Sequence, residues 1–171
     1  MSGYPEDPRN KLLDDILNDN PSSFLDGRDF RAYHEFSIAS GQEDIIKIDT
    51  PIDLYITNIT LNLSDGAVRY SVLVGGTEGG TFTEIQTILN KNNRSDAIQY
   101  TRQTRAYTGG TLTGGNEIDI AQIRTGTNNQ RVSIIESAQS KRGVAAGTYY
   151  IKIENTGSGT AQGVLYTFWT E

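Results

Sequence analysis

Residues 52–74 read IDLYITNITLNLSDGAVRYSVLV. Val68, Tyr70, Val72 and Val74 alternate with Arg69, Ser71 and Leu73, the period of a strand with one buried face. Upstream, Ile52, Leu54 and Ile56 alternate, and Ile59, Leu61 and Leu63 then continue in the opposite phase. A change of face inside one strand needs an extra residue, so a bulge or bend is expected near Asn58. Ser64-Asp65-Gly66, between the two runs, reads as a turn of the Asp-Gly kind.

The same period extends in both directions. Tyr33 to Ile38 predicts a first strand, Ile46 and Ile48 flank Lys47 in a second, and Pro51 interrupts. Phe82, Ile85 and Ile88 are less regular, and residues 90–96 form a polar loop. Ile98 and the stretch from Tyr100 to Tyr107 fit a strand with exposed arginines. Ile118 and Ile120 alternate, Ile123 falls out of register, and Val132 and Ile134 mark another short strand. Tyr149, Ile151 and Ile153 oppose Tyr150, Lys152 and Glu154; Val164, Tyr166 and Phe168 oppose Leu165, Thr167 and Trp169. The last strand, apolar or aromatic on both faces, is expected inside a sheet or at a subunit interface. About nine or ten strands without intervening helices predict an all-β chain, an antiparallel β-sandwich or jelly roll. Gly75–Gly80 and Gly109–Gly115 each set Gly pairs around a Thr-containing link and read as wide hairpin loops with positive φ.

Residues 1–30 are written differently. Asp7-Pro8 suits a helix start. Leu12, Leu13, Ile16 and Leu17 then share one face of a short amphipathic helix, which should stop before Pro21. Such a helix is marginal alone in water, so its stripe must pack, either on its own β-domain or on a neighbouring subunit. The organisation expected is an N-terminal arm over 1–30 and one β-domain over 31–171. The arm holds seven acids and three bases, net −4, against fourteen acids and twelve bases, net −2, in the domain. An acidic arm suits a basic groove on another protein.

Composition argues against several chemistries. The 171-residue chain has no cysteine, hence no disulfide framework and no thiolate metal site. Its beginning lacks the basic and apolar regions of a signal peptide, and no apolar run approaches a membrane span. Lys and Arg are not clustered as counterion release requires, so neither nucleic acid nor membrane is expected as a partner. The Gly pairs are not followed by the Lys-Ser/Thr of a phosphate loop. The single histidine, His34, has Glu35 on the opposite strand face, and no Gly-x-Ser-x-Gly elbow exists. Asp49, Asp53, Glu117 and Asp119 could supply paired carboxylates, and Asp44 and Asn116 further hard oxygens, but no spacing matches a known cation loop. The expectation is a protein that is not an enzyme and needs no cofactor or metal.

Residues 91–107 interleave Lys91, Arg94, Arg102 and Arg105 with Tyr100 and Tyr107 against one acid, Asp96. This is either a solvated strand face, a protein–protein interface rich in Arg and Tyr, or a glycan-binding surface.

The layout resembles small structural virion proteins of tailed bacteriophages. The resemblance rests on Asp7-Pro8-Arg9-Asn10 with Leu12 to Leu17, on Asp29-Phe30-Arg31-Ala32-Tyr33, on Val74 to Phe82, and on Gly147-Thr148-Tyr149-Tyr150 with the C-terminal hairpin. It spans nearly the whole chain in style and local wording. It implies a virion-located β-sandwich oligomer, most simply a capsid decoration (cement) protein. Its arm would staple it, through Leu12, Leu13, Ile16 and Leu17, to the major capsid protein, other virion proteins or a sister copy in a trimer or dimer. Arg94, Tyr100, Arg102, Arg105 and Tyr107 would form the contact on the body. The alternatives are a neck, tail or fibre-associated virion protein, and a carbohydrate-binding adhesin module using Tyr100, Tyr107, Tyr149 or Trp169.

Overall fold

The computed structural model describes residues 26–92, 100–124 and 142–171, together with the backbone of 130–135. The arm helix and its stripe (Leu12, Leu13, Ile16, Leu17) lie outside the described residues. These form fourteen strands and no helix. In chain order they are β1 (Asp29–Ile38), β2 (Glu43–Thr50), β3 (Leu54–Asp65), β4 (Ala67–Val74), β5 (Thr77–Gly79), β6 (Thr83–Glu84) and β7 (Ile88–Asn90). There follow β8 (Arg105–Thr108), β9 (Thr111–Thr113), β10 (Asn116–Arg124), β11 (Gln130–Ile135), β12 (Arg142–Val144), β13 (Gly147–Asn155) and β14 (Ala161–Thr170).

All pairings are antiparallel, and they nest. β1 pairs β14, β2 pairs β13, β3 pairs β11 and β4 pairs β10. The β3–β14 and β4–β13 ladders join these pairs into a first sheet, β11-β3-β14-β1-β7 with β12 also beside β3, and a second, β10-β4-β13-β2-β8-β6. Successive strands of the nested set alternate between the sheets. A long hairpin rolled in this way is a jelly roll, as the strand pattern led one to expect. The two sheets pack Phe36, Leu61, Leu63 and Leu165 of the first against Ile46, Val68, Tyr70, Ile151 and Ile153 of the second.

The expected irregularity near Asn58 is a bulge. Across the β14 ladder Asn58 pairs Phe168 while Ile56 pairs Trp169, leaving Thr57 as the extra residue. It lets Ile56 and Ile59 both reach the core. The Asp65-Gly66 turn, with φ +89° at Gly66, joins β3 of the first sheet to β4 of the second, so it turns between sheets and closes no hairpin. The out-of-register Ile123 also has a cause. The register of β10 against β4 slips between Glu117 and Asp119, so Ile123 faces the core while Ile120 is exposed.

The two Gly-pair stretches are not separate hairpin loops. Thr77 pairs Thr113, Glu78 pairs Leu112 and Gly79 pairs Thr111, so the stretches pair with each other as a ribbon. The expected positive φ is found at Gly75, Gly76, Gly80, Gly109, Gly114 and Gly115. The ribbon lies on the outer face of the second sheet, where Phe82 and Leu112 pack on Ile45, Leu73 and Tyr150. Between β5 and β9 the chain adds β6 and β8 beyond β2, and β7 beyond β1. The segment 75–115 therefore covers one face and extends both sheets on the same side. Gly110 permits the close approach: a Cβ there would stand 2.2 Å from the Phe82 ring.

Leu61 is 0% exposed. Leu61→Ala should cost about 2–5 kcal/mol, seen as a lower denaturant midpoint with an unchanged slope. Gly110→Ala should push Phe82 off its seat and speed chymotryptic cleavage at that residue, with the β1–β14 amides keeping their hydrogen-exchange protection.

Candidate functional site

The chain enters the described fold beside its last strand. The Gly27 carbonyl accepts from Asn90 Nδ2 at 2.6 Å and the Arg28 carbonyl from the Glu171 amide at 3.0 Å. From here the outward row of the first sheet is aromatic, because β1 and β14 each turn one side of their alternation away from the core. Tyr33 lies 5.4 Å from Tyr166 between ring centroids, and Lys91 Nζ stands 5.9 Å over Phe168. Tyr33, Tyr166 and Phe168 are half-buried, and Leu89, opposite Arg31 on β7, is 49% exposed. The Tyr33 hydroxyl donates to Glu35, and that carboxylate raises the phenol to about 12.

The structure places the sequence-predicted body contact in several settings. Tyr100 packs against Phe30 at 6.3 Å beside buried Leu54 and Trp169, and its oxygen accepts from Gln103 Nε2 at 2.8 Å. Arg102 donates to the Thr104 carbonyl at 2.6 Å and pairs with Glu84 at 3.4 Å. Both are engaged within the chain. Arg105 is exposed on β8, opposite Asp49, and Tyr107 is half-buried beside Lys47. Arg94 lies outside the described residues. The strand expected from Tyr100 to Tyr107 begins only at Arg105.

The polar cluster that sequence reasoning missed centres on Lys47. Its ammonium lies 2.8 Å from Glu78 and 3.5 Å from Asp49, and it sits over the Phe82 and Tyr107 rings at 5.7 and 5.8 Å. Tyr150 OH donates to the same Glu78 carboxylate at 2.6 Å. The Glu78 hydrogen bond raises the Lys47 pKa, and the bonds from Lys47 and Tyr150 lower that of Glu78. Burial, then the bond to Glu78, pushes Tyr150 up to about 12. The cluster pins the β5–β9 ribbon to the second sheet. Its only sequence signal was a lysine between two core-facing isoleucines, which fixes a face and not a partner.

The other groups weighed for chemistry are dispersed. His34 Nε2 meets Asp44 at 2.6 Å and thereby joins β1 of one sheet to β2 of the other; Thr108 Oγ1 approaches Asp44, at 3.4 Å. Asp119 pairs Arg142 at 2.7 Å, Glu117 pairs Arg69 at 2.8 Å, and Asp53 accepts from the Ala146 amide at 2.9 Å. Buried Glu171 accepts from the Gln103 and Thr104 amides, each at 2.8 Å. Among the described residues no three His, Asp or Glu side chains converge as a metal site.

Neither a known family profile nor a curated protein matches the sequence. Among solved structures the chain is similar to the crystal structure of the Yersinia pseudotuberculosis-derived mitogen, at 14% identity over 80% of this chain and 83% of that one, with a TM-score of 0.37. At that overlap the likeness assigns neither fold nor role.

Glu78, whose folded pKa is depressed, contributes to ribbon docking fully above its unfolded value and loses that contribution as pH falls through the lower folded value. Hydrogen-exchange protection of the β5–β9 amides, taken relative to β1–β14, should therefore decline below about the ordinary 4.5 of a glutamate. Glu78→Gln should lower that protection at neutral pH and remove its acid dependence.

Proposed function

We propose that this chain is a structural virion protein of the capsid-decoration type, attached through its acidic arm. The observation that carries the reading is the unequal treatment of the two outer faces. On the second sheet the chain covers Ile45, Leu73 and Tyr150 with the β5–β9 ribbon and leaves Ile120, at the β10 edge, exposed. The outward row of the first sheet keeps half-buried Tyr33, Tyr166 and Phe168 and exposed Leu89, at the end of the fold where the arm joins. Aromatic side chains with one apolar and one polar end suit protein contacts. The carboxylates considered for catalysis are individually partnered, as befits a scaffold.

In this reading the Leu12/Leu13/Ile16/Leu17 stripe buries apolar surface on the capsid or a sister copy. At about 25 cal/mol per Å², a few hundred Å² of such contact supplies several kcal/mol per copy. Repetition over a lattice multiplies the effect through avidity. Of the expected body contact, Arg105 is exposed on β8 of the second sheet, on the side away from the aromatic row, and Tyr107 is engaged under Lys47.

In purified particles of a phage encoding the chain, quantitative mass spectrometry should find it in numbers comparable to the major capsid protein. A few copies per particle would move it to the neck or tail, and its absence would sink the virion reading. Leu13→Asp/Ile16→Asp in the full chain should abolish co-sedimentation with particles lacking it while leaving the melting temperature of the β-domain unchanged. Undiminished binding would show that the arm is not the attachment.

A further inference from the structure

Phe36 and Ile38 of β1 and Leu165 of β14 face the inter-sheet core. Alternation therefore turns Arg31, Tyr33 and Glu35 of β1 and Val164, Tyr166 and Phe168 of β14 outward. The register sets Arg31 beside Phe168, Tyr33 beside Tyr166 and Glu35 beside Val164. Polar residues border this patch at both ends, Asp29 and Thr170 at one and Ser37 and Gln162 at the other.

The charges on the patch differ in how the chain satisfies them. Lys91 stands 3.8 Å from Asp29, which also accepts from Thr170 Oγ1 at 2.6 Å. Glu35 is exposed and accepts the Tyr33 hydroxyl through one of its two oxygens. Arg31, half-buried between Phe168 and Leu89, has neither a hydrogen-bond nor an ion-pair partner for its side chain among the described residues. A guanidinium in that setting gains most from a carboxylate brought by another molecule.

The arrangement supplies such a carboxylate from itself. Arg31 and Glu35 stand two residues to either side of Tyr33 on one face, and Phe168 and Val164 stand likewise about Tyr166. A two-fold axis laid along the Tyr33–Tyr166 row, across the strands, brings Arg31 of one copy over Glu35 of the other and Phe168 over Val164. Both ion pairs form at once. A surface that meets its own copy across a two-fold must be self-complementary in this way; a surface that meets a different protein need not be. The orientation is the aligned packing of two twisted sheets about 10 Å apart, a gap that an Arg and a Glu side chain together span.

We propose that the outward row of the first sheet is a two-fold contact with a second copy of this chain, Arg31 of each copy pairing with Glu35 of the other around a centre of Tyr33 and Tyr166. The proposal deepens the functional reading above by naming the occupant of this face, and it rests on that reading only in taking the face for a protein contact. The patch is three strands wide and about seven residues tall, or roughly 14 by 23 Å, small against the ~800 Å² per partner of a standard interface. The contact is accordingly weak in solution and gains from repetition on a lattice.

The test is sedimentation equilibrium of the full chain at concentrations up to about 1 mM, where a weak contact of this kind is populated. Wild type and the Leu13→Asp/Ile16→Asp variant should both show a monomer–dimer equilibrium. Arg31→Glu and Glu35→Lys should each raise the dissociation constant about tenfold or more, because each sets two like-charge pairs across the axis. An equimolar mixture of these two variants should dimerise again, since every pair across the axis is then of opposite charge; that recovery also shows both to be folded. A wild type that stays monomeric, a single charge variant that dimerises undiminished, or a mixture that stays monomeric overturns the proposal. Loss of the dimer in the Leu13→Asp/Ile16→Asp variant overturns it too and assigns self-association to the arm. Absence of the chain from particles would sink the virion reading and leave this contact standing.

Discussion

The fold depends on β14 being hydrogen-bonded along both sides. It pairs β1 without a break from Asp29–Thr170 to Ile38–Ala161, and it pairs β3 on its other edge. This ladder sets Leu165, Thr167 and Trp169 toward the second sheet and Val164, Tyr166 and Phe168 away from it. The partners are far apart in sequence: Thr170 Oγ1 donates to Asp29 across 141 positions, at 2.6 Å. Pairings this distant in sequence carry a loop-closure cost and are of the kind that fold slowly. The same closure brings the arm's point of departure beside Glu171 and beside the aromatic outward row.

Once the nested hairpin is rolled, each sheet has an outer face to account for. On the second sheet the chain supplies its own cover. Leu73, Ile45 and Tyr150 are buried although they point away from the inter-sheet core. The ribbon that buries them is too short to hold by backbone bonds alone, and a two-stranded ribbon is marginal in water. Lys47 and Glu78 add a charge-assisted contact, and Phe82 and Leu112 add apolar area. Charge pairing and hydrophobic docking thus act at the same place.

The sequence made legible those features that depend on the chain's own period. The alternation from Val68 to Val74 is β4, and the phase change between Ile56 and Ile59 is the Thr57 bulge. The phase change was visible because both flanking triplets must face one core, a constraint that acts within a single strand. Features that depend on a distant partner were not legible. Asp65-Gly66 has the chemistry of a tight turn, but the choice between a hairpin and a change of sheet belongs to β13 and β14, which claim the neighbouring edges. The Gly-pair stretches looked alike because each is half of one ribbon. Tyr100 and Arg102 looked like surface anchors because local spacing cannot reveal that Phe30 and Glu84 will meet them. The arm stripe lies outside the described residues.

Tyr70 brings these lines together. Its place in the alternation predicts a core residue, and its ring fills that role. Phenylalanine would fill it equally well and without the cost of about 1–3 kcal/mol for desolvating an unpaired hydroxyl. Tyrosine at a wholly buried position is therefore informative where valine or phenylalanine would not be. Tyr70 lies among Ile56, Val72 and Val144, on β4, against which β10 slips out of register. On the opposite edge His34 and Asp44 clip the sheets together at 2.6 Å with both side chains largely buried. On the β10 edge the corresponding clip, Arg142 with Asp119 at 2.7 Å, has its cation half exposed and its carboxylate largely buried.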